Sequence, residues 1–112
     1  MTATGHDVDA EAIAAAITDA LSPTSVLPEL HKLGRLDEQL RAEICRLTPI
    51  VRTAADSEPP RSREWYRLHN ELGRAADATA PRMPDQPLAA SLHVAELARR
   101  ACALRQIEGE QR

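Results

Sequence analysis

Histidine and carboxylate side chains are the first candidates for chemistry in this chain of 112 residues. His93 and Glu96 are three positions apart, so on a helix they would lie one turn apart on the same side. Such pairs occur in di-iron helical bundles, but those centres also need inward-facing carboxylates from other helices. The longest predicted helix offers only Asp37 on its apolar side. We therefore expect a surface ion pair between His93 and Glu96 rather than a metal site.

The other polar residues form no recognisable catalytic arrangement. His69 flanks the apolar stripe that Trp65 and Leu72 would form, where a partly buried histidine is the simplest interpretation. No Ser/His/Asp or Cys/His set can be proposed. Cys45 and Cys102 lack the spacing of metal ligands, so we expect buried free thiols, with a disulfide between them as the alternative. We predict no catalytic residue, no metal and no cofactor.

The arginine-rich segment at residues 57–83 is the part of the sequence best suited to nucleic-acid binding. Basic side chains could hold phosphates there, and the chain's two aromatic residues, Trp65 and Tyr66, could stack on bases. The candidate polyanion contacts are Arg61, Arg63, Arg67 and Arg74. However, residues 57–83 hold five arginines and four acidic residues, and the whole chain has a net charge of −3. We therefore do not expect nucleic acid to be the main partner.

One long apolar repeat must position these groups. Between residues 26 and 54 the apolar residues are spaced four and three apart, which places them on one side of a helix. Its members are Val26, Leu30, Leu33, Leu40, Ile44, Leu47, Val51 and Ala54. Asp37 fills the one polar position in the repeat. Either it sets the register of a helix pair, or Leu36 takes the core position while Asp37 pairs with Arg41.

Capping residues and prolines set the expected helix boundaries. After a flexible tail at 1–6, the predicted helices cover approximately residues 8–21, 26–55, 63–79 and 86–108. Ser25, Ser62 and Asp85 are the expected N-caps, and Gly109 is the expected stop of the last helix. Pro49 lies inside the long helix and removes a backbone hydrogen bond. We expect a kink there, with a complete break as the alternative.

These patterns predict an all-α fold. The expected architecture is a single helical domain over residues 1–112, an up-and-down bundle of three to four helices with one long, Pro-kinked helix. No stretch alternates with the period of a strand. No window approaches the ~20 apolar residues of a membrane span, and no signal peptide opens the chain. We therefore expect a soluble, cytoplasmic protein without membrane contact.

The last predicted helix has apolar residues on two sides. At ~100° per residue, one stripe can pack on the long helix. That stripe consists of Ala90, Val94, Leu97, Ala101 and Leu104. The candidate interface is the nearly opposite stripe, which consists of Leu88, Leu92, Ala95 and Cys102. It needs its own cover, either the first helix through Ile13, Ile17 and Leu21, or a second copy of the chain or a helical partner.

Three segments give the chain a resemblance to a known family. They run from Leu40-Arg41 through Ile44, Leu47 and Pro49 to Val51, from Glu71-Leu72-Gly73-Arg74 to Ala80-Pro81, and from Leu97-Ala98-Arg99-Arg100 to Ala103-Leu104. Together they span most of residues 36–105, and the acidic first helix lies outside the likeness. They resemble a family of small actinobacterial helical proteins of unknown function, loosely labelled as natural-product biosynthesis proteins. The resemblance implies helices and association with such a pathway, but no reaction and no catalytic residue.

The features taken together favour a small helical accessory or interaction protein without catalysis. Its expected partner is another protein or a second copy of the chain, which would bind through the fourth helix. The alternative interpretation is a small DNA-associated regulator that uses the basic face from Arg61 to Arg74. An enzyme is the third interpretation, because only Asp37 and His69 would supply polar groups to a pocket.

Overall fold

A computed structural model describes residues 2–21 and 29–111, and only the backbone of residues 2–10. These residues form four helices and no strand. The helices are α1 (Thr2–Leu21), α2 (Leu30–Asp56), α3 (Arg63–Thr79) and α4 (Pro87–Glu110). The all-α prediction is confirmed. Within this part of the chain, every helix is too short or too polar to cross a membrane.

Side-chain contacts show that α2 and α4 lie side by side and run in the same direction. Asp37 near the start of α2 meets His93 near the start of α4. Further along, Arg46 of α2 meets Glu108 of α4. The second pair lies nearer the C-terminus in both helices, so α2 and α4 are parallel.

The two remaining helices pack on this pair. α3 is antiparallel to α4, because Arg67 contacts Glu110 whereas the later Glu71 contacts Arg100. α1 packs against α2 and α4, and its Ala16 belongs to the common core. The described helices therefore share a single hydrophobic core.

The core is aliphatic, as the spacing predicted. The fully buried large side chains are Leu33, Leu40, Leu47, Val51, Leu68, Val94, Leu97, Leu104 and Ile107. Leu36 is buried, whereas Asp37 pairs with Arg41, which confirms the second interpretation of the polar position. Leu30, the first residue of α2, is 38% exposed, so the buried part of this face begins at Leu33. Val26 lies outside the described residues.

The starts of the first two helices differ from prediction. α1 begins at Thr2, so residues 2–6 are helical rather than a tail. That stretch contains no proline, and its one glycine, Gly5, costs only ~1 kcal/mol in a helix. α2 begins at Leu30 rather than near residue 26, because Glu29 has extended backbone angles and serves as the N-cap. The expected cap Ser25 lies outside the described residues.

The later helices are closer to prediction. α3 has the predicted bounds, and the Trp65 N–H donates to Ser62 Oγ at 3.2 Å, as a capping serine should. α4 is capped by Gln86 rather than Asp85, which lies one residue too early. Gly109 does not stop α4. No described glycine has a positive φ, the conformation that makes glycine a helix stop.

α2 passes through Pro49 without a break. Pro49 has no N–H, so the carbonyl of Cys45 lacks its helical donor. Thr48 Oγ1 donates to the Ile44 carbonyl at 2.7 Å, and Thr53 Oγ1 donates to the Pro49 carbonyl at 2.9 Å. Pro49 lies on the exposed side of α2, where water can reach the open carbonyl. The complete break is excluded, and the kink stays a prediction.

We predict that Leu40→Ala lowers the free energy of unfolding by ~2–5 kcal/mol, because it leaves a cavity in a packed core. The matched control is Leu30→Ala, on the same helix but outside the core, which should cost about 0.5 kcal/mol. Urea unfolding followed by circular dichroism measures both. Equal, small losses would mean that this face of α2 is not the core.

Pro49→Ala should raise the free energy of unfolding by ~2–2.6 kcal/mol. A proline inside a helix costs about 3 kcal/mol relative to alanine, partly because it leaves a carbonyl without its donor. The greater freedom of the unfolded chain offsets ~0.4–1 kcal/mol of that gain. The same urea experiment measures the change, with Arg52→Ala as an exposed control on α2. A destabilised Pro49→Ala variant would contradict this account.

Candidate functional site

Arg41 is the centre of a polar cluster where α2, α3 and α4 meet. Its Nε donates to Asp37 Oδ1 and Oδ2 at 3.0 and 3.1 Å. Its two terminal nitrogens donate to the carbonyls of Thr79 and Pro81, each at 2.6 Å. Thr79 ends α3, where helix carbonyls have no donor within the helix. The Arg41 guanidinium therefore caps the C-terminal end of α3 and holds it against α2.

His93 joins α4 to this cluster. Its Nε2 lies 3.0 Å from Asp37 Oδ1 and 3.2 Å from a terminal nitrogen of Arg41. In neutral histidine this nitrogen either donates to the carboxylate or accepts from the guanidinium, depending on the tautomer. The His93 side chain is only 10% exposed. We interpret the three side chains as a clamp, the Asp37–Arg41–His93 cluster, that holds three helices together.

The predicted ion pair between His93 and Glu96 is not formed. Glu96 instead lies 3.5 Å from Arg99 and 3.6 Å from Arg100, while His93 turns to Asp37 on α2. In residues 2–21 and 29–111, no group of three or more His, Cys, Asp or Glu side chains is placed to hold a metal ion. The two residues that suggested a di-iron motif thus face different neighbours.

A second ionic cluster connects α2 to α4 further along. Glu43, at its centre, is only 6% exposed. It accepts two hydrogen bonds of 2.8 Å from Arg46, which also donates to Glu108 at 2.9 Å. These bonds raise the pKa of the Arg46 guanidinium above its ordinary value. Such partners are required, because a buried carboxylate left alone is strongly destabilising.

Two of the four arginines proposed for polyanion contact are already paired with carboxylates. Arg67 contacts Glu64 at 2.6 Å and Glu110 of α4 at 2.7 Å. The hydrogen bond from Arg67 lowers the pKa of the Glu64 carboxyl, so the acid stays charged beside it. Arg74 lies 3.5 Å from Glu71. A phosphate would have to compete with these carboxylates.

The other two arginines, Arg61 and Arg63, are exposed where the chain enters α3. Arg61 has a φ of 68°, which is uncommon for a residue other than glycine. Trp65 is half-buried, as expected for a residue on the apolar side of α3, and its ring lies 4.2 Å from that of the partly buried His69. A nucleic-acid surface of four unpaired arginines and two exposed aromatic rings is therefore not formed by these six residues.

The outer face of α4 carries the most exposed large apolar side chains in the described residues. Leu88 is 59% exposed and Leu92, one turn later, is 63% exposed. Ala95 continues the same stripe and is half-buried. The opposite stripe of α4 is buried, as predicted, since Val94 and Leu97 are fully inside the core. The candidate interface is thus open at its N-terminal end.

α1 lies beside the other end of that stripe but leaves Cys102 exposed. Ala14 and Ile17 of α1 border a cleft that also includes Cys102 of α4. The first helix therefore serves as a neighbour for the C-terminal half of α4, while Leu88 and Leu92 remain in solvent. The predicted cover by the first helix is therefore incomplete: within the described residues α1 borders only the Cys102 end of the stripe, and Leu21 itself is 40% exposed. Cover by a second copy or a helical partner stays a prediction.

Both cysteines are free and exposed. The expected free thiols are confirmed, whereas their expected burial is wrong. Cys45 follows the buried Ile44, and Cys102 follows the buried Ala101, so each thiol is about 100° around its helix from the core.

A groove of about 480 Å³ lies beside Leu92, between α3 and α4. Its lining consists of Arg74, Asp77, Ala78, Pro81, Leu92, His93 and Glu96. Apolar groups and charges of both signs share this wall. Such a mixed, shallow surface is more typical of contact with another protein than of a small-molecule pocket, which is mostly apolar and concave.

The Asp37–Arg41–His93 cluster predicts that Arg41→Lys lowers the free energy of unfolding by ~1–2 kcal/mol, because one ammonium cannot replace the guanidinium and leaves partly buried acceptors unpaired. Arg52→Lys, an exposed change on the same helix, is the matched control. Thermal and urea unfolding measure both variants. Equal stability of Arg41→Lys and the wild type would show that the clamp does not hold the helices.

Comparison with known proteins places the chain in a family. No curated protein and no solved structure matches it. A family model, described as a family of unknown function (DUF6415), matches residues 11–111. This range includes the three segments behind the resemblance and extends into α1, which that resemblance had left out. The chain belongs to the DUF6415 family.

Proposed function

We propose that this protein is a helical accessory protein that works by binding another protein chain through the outer face of α4, without catalysing a reaction. One observation carries the proposal. Leu88 and Leu92 are 59% and 63% exposed, one turn apart, on a helix whose other large aliphatic side chains are buried.

Leu88 and Leu92 are informative as a pair rather than singly. Single exposed leucines are normal on protein surfaces. Two at i,i+4 form the anchor pattern with which one helix docks on another. Burying a leucine fully on docking contributes roughly 1.5–3 kcal/mol. The adjacent groove beside Leu92 offers space and both signs of charge for the side chains of the docked chain.

The polar clusters support an accessory role. Asp37, Arg41 and His93 are the closest approach to a catalytic constellation, yet they bond to one another and to backbone carbonyls of α3 and the following loop. Glu43 and Arg46 likewise connect α2 to α4. Each group has a clear part in holding helices together, which supports a structural rather than a reactive assignment.

The resemblance to actinobacterial proteins labelled for natural-product biosynthesis adds a finer proposal. The partner would belong to such a pathway, and the two would meet in the cytoplasm. Its support is the likeness of the three helical segments within residues 36–105. A DNA-associated regulator is the weaker interpretation, since Arg67 and Arg74 are already engaged by carboxylates.

Photo-crosslinking in the native cell tests the proposal. A photoreactive phenylalanine analogue replaces Leu92 in one strain and Tyr66 in another. Tyr66 is also a half-exposed large side chain, but it lies on α3. We expect one adduct of defined mass from position 92 and none from position 66. No adduct at 92, or the same adducts at both positions, would contradict an interaction face on α4.

A further inference from the structure

We propose that α1 is a lid that opens while α2, α3 and α4 stay folded, and that its opening uncovers the surface of α2 and α4 on which it lies. The inference is independent of the proposed function, because it concerns the contacts of α1 rather than the exposed leucines of α4. It assigns to the first helix a movement that the other three helices do not make.

Small or half-buried side chains anchor α1 to the core. Among residues 11–21, whose side chains the structure describes, only Ala16 is buried, with 4% of its surface exposed. Ile13 and Ile17 are half-buried, and Leu21 is 40% exposed. Each of α2, α3 and α4 instead contains at least one leucine that is 0% exposed. Because the hydrophobic contribution scales with the apolar area removed from water, residues 11–21 hold their helix on the core weakly.

The sequence of α1 adds little stability of its own. Before residue 11 its one large aliphatic residue is Val8, and Gly5 disfavours the helix. A helix of this length is marginal in water when it stands alone, so α1 depends on its packing. Ion pairs join α2, α3 and α4 to one another, whereas Glu11 and Asp19 are exposed. α1 therefore gains less from docking than the other helices do.

Two clefts show how α1 bridges α4 and α2. Ala14 and Ile17 border a cleft of about 400 Å³ together with Cys102 of α4. Asp19 borders a second cleft, of about 310 Å³, together with Leu36 of α2. Open space beside a helix means that its side chains lack contacts that a close-packed core would supply. Opening of α1 uncovers Leu36, which is 6% exposed in the closed state, and the part of α4 beside Cys102.

The other three helices retain a core of their own when α1 opens. Leu40 of α2, Leu68 of α3 and Leu97 of α4 are each 0% exposed. α1 packs on α2 and α4, whereas Trp65, the one tryptophan of the chain, belongs to α3. The fluorescence of Trp65 therefore reports the folding of the three-helix unit rather than the docking of α1.

Hydrogen exchange of the full chain, followed by mass spectrometry, tests the lid. We expect the slowest amides of residues 11–21 to exchange at least about 100-fold faster than the slowest amides of α2 and α4, because they exchange by local opening rather than by global unfolding. Urea below the unfolding midpoint should accelerate their exchange less, since the opening exposes less surface. Equal protection of α1 and α4 would overturn the proposal.

Ala16→Glu separates opening from unfolding, because a buried carboxylate opposes the docking of α1. We expect the helical circular dichroism signal to fall by the share of the 20 residues of α1, and an apolar fluorescent dye to bind the uncovered surface. The urea midpoint that Trp65 fluorescence reports should change little. The matched control is Ala90→Glu on α4, where the wild-type alanine is 0% exposed, and it should abolish that transition.

Two results with Ala16→Glu would overturn the proposal. Loss of the Trp65 transition, as in the control, would mean that α1 unfolds only together with the other helices. Wild-type circular dichroism and wild-type hydrogen exchange would mean that a buried charge does not release α1. Either result leaves the proposed function standing, since crosslinking at Leu92 does not depend on the opening of α1.

Discussion

The packing of α2 against α4 is the contact on which the rest of the structure depends. Leu40 and Leu47 of α2 are fully buried, as are Val94 and Leu97 of α4. Two polar clusters fix the register of the two helices. One is centred on Arg41, and the other consists of Glu43, Arg46 and Glu108. Because α1, α2 and α3 surround only part of α4, Leu88 and Leu92 on its outer N-terminal face are exposed in the described part of the chain.

Local signals in the sequence predicted much of the fold. The four-three spacing located α2, and Ser62 placed the start of α3 correctly because its side chain caps the helix from within the local sequence. Spacing alone could not decide whether Leu36 or Asp37 faces inward, since the deciding partner, His93, is 56 residues away. The burial of Glu43 likewise depends on a distant residue, because Arg105 of α4 lies 3.7 Å from its carboxylate.

The candidate surface could be predicted only in part. The angular positions of Leu88 and Leu92 identified the second stripe on α4, because they depend on helix geometry alone. Which end of the stripe lies beside α1 depends on how the first helix crosses α4, and no local signal encodes that path. Likewise, the acid three positions before Arg67 is visible in the sequence, whereas its contact with Glu110 arises only when α3 and α4 pack.

The account as a whole depends on Leu92 being a side chain that a second chain buries. Size-exclusion chromatography of native cell extracts that contain either the wild type or Leu92→Glu measures this directly. The account predicts that the wild type elutes at a mass above that of one chain, and that Leu92→Glu elutes as one chain with an unchanged melting temperature. A one-chain mass for the wild type in the extract, or a variant that stays in the complex equally well, would contradict it.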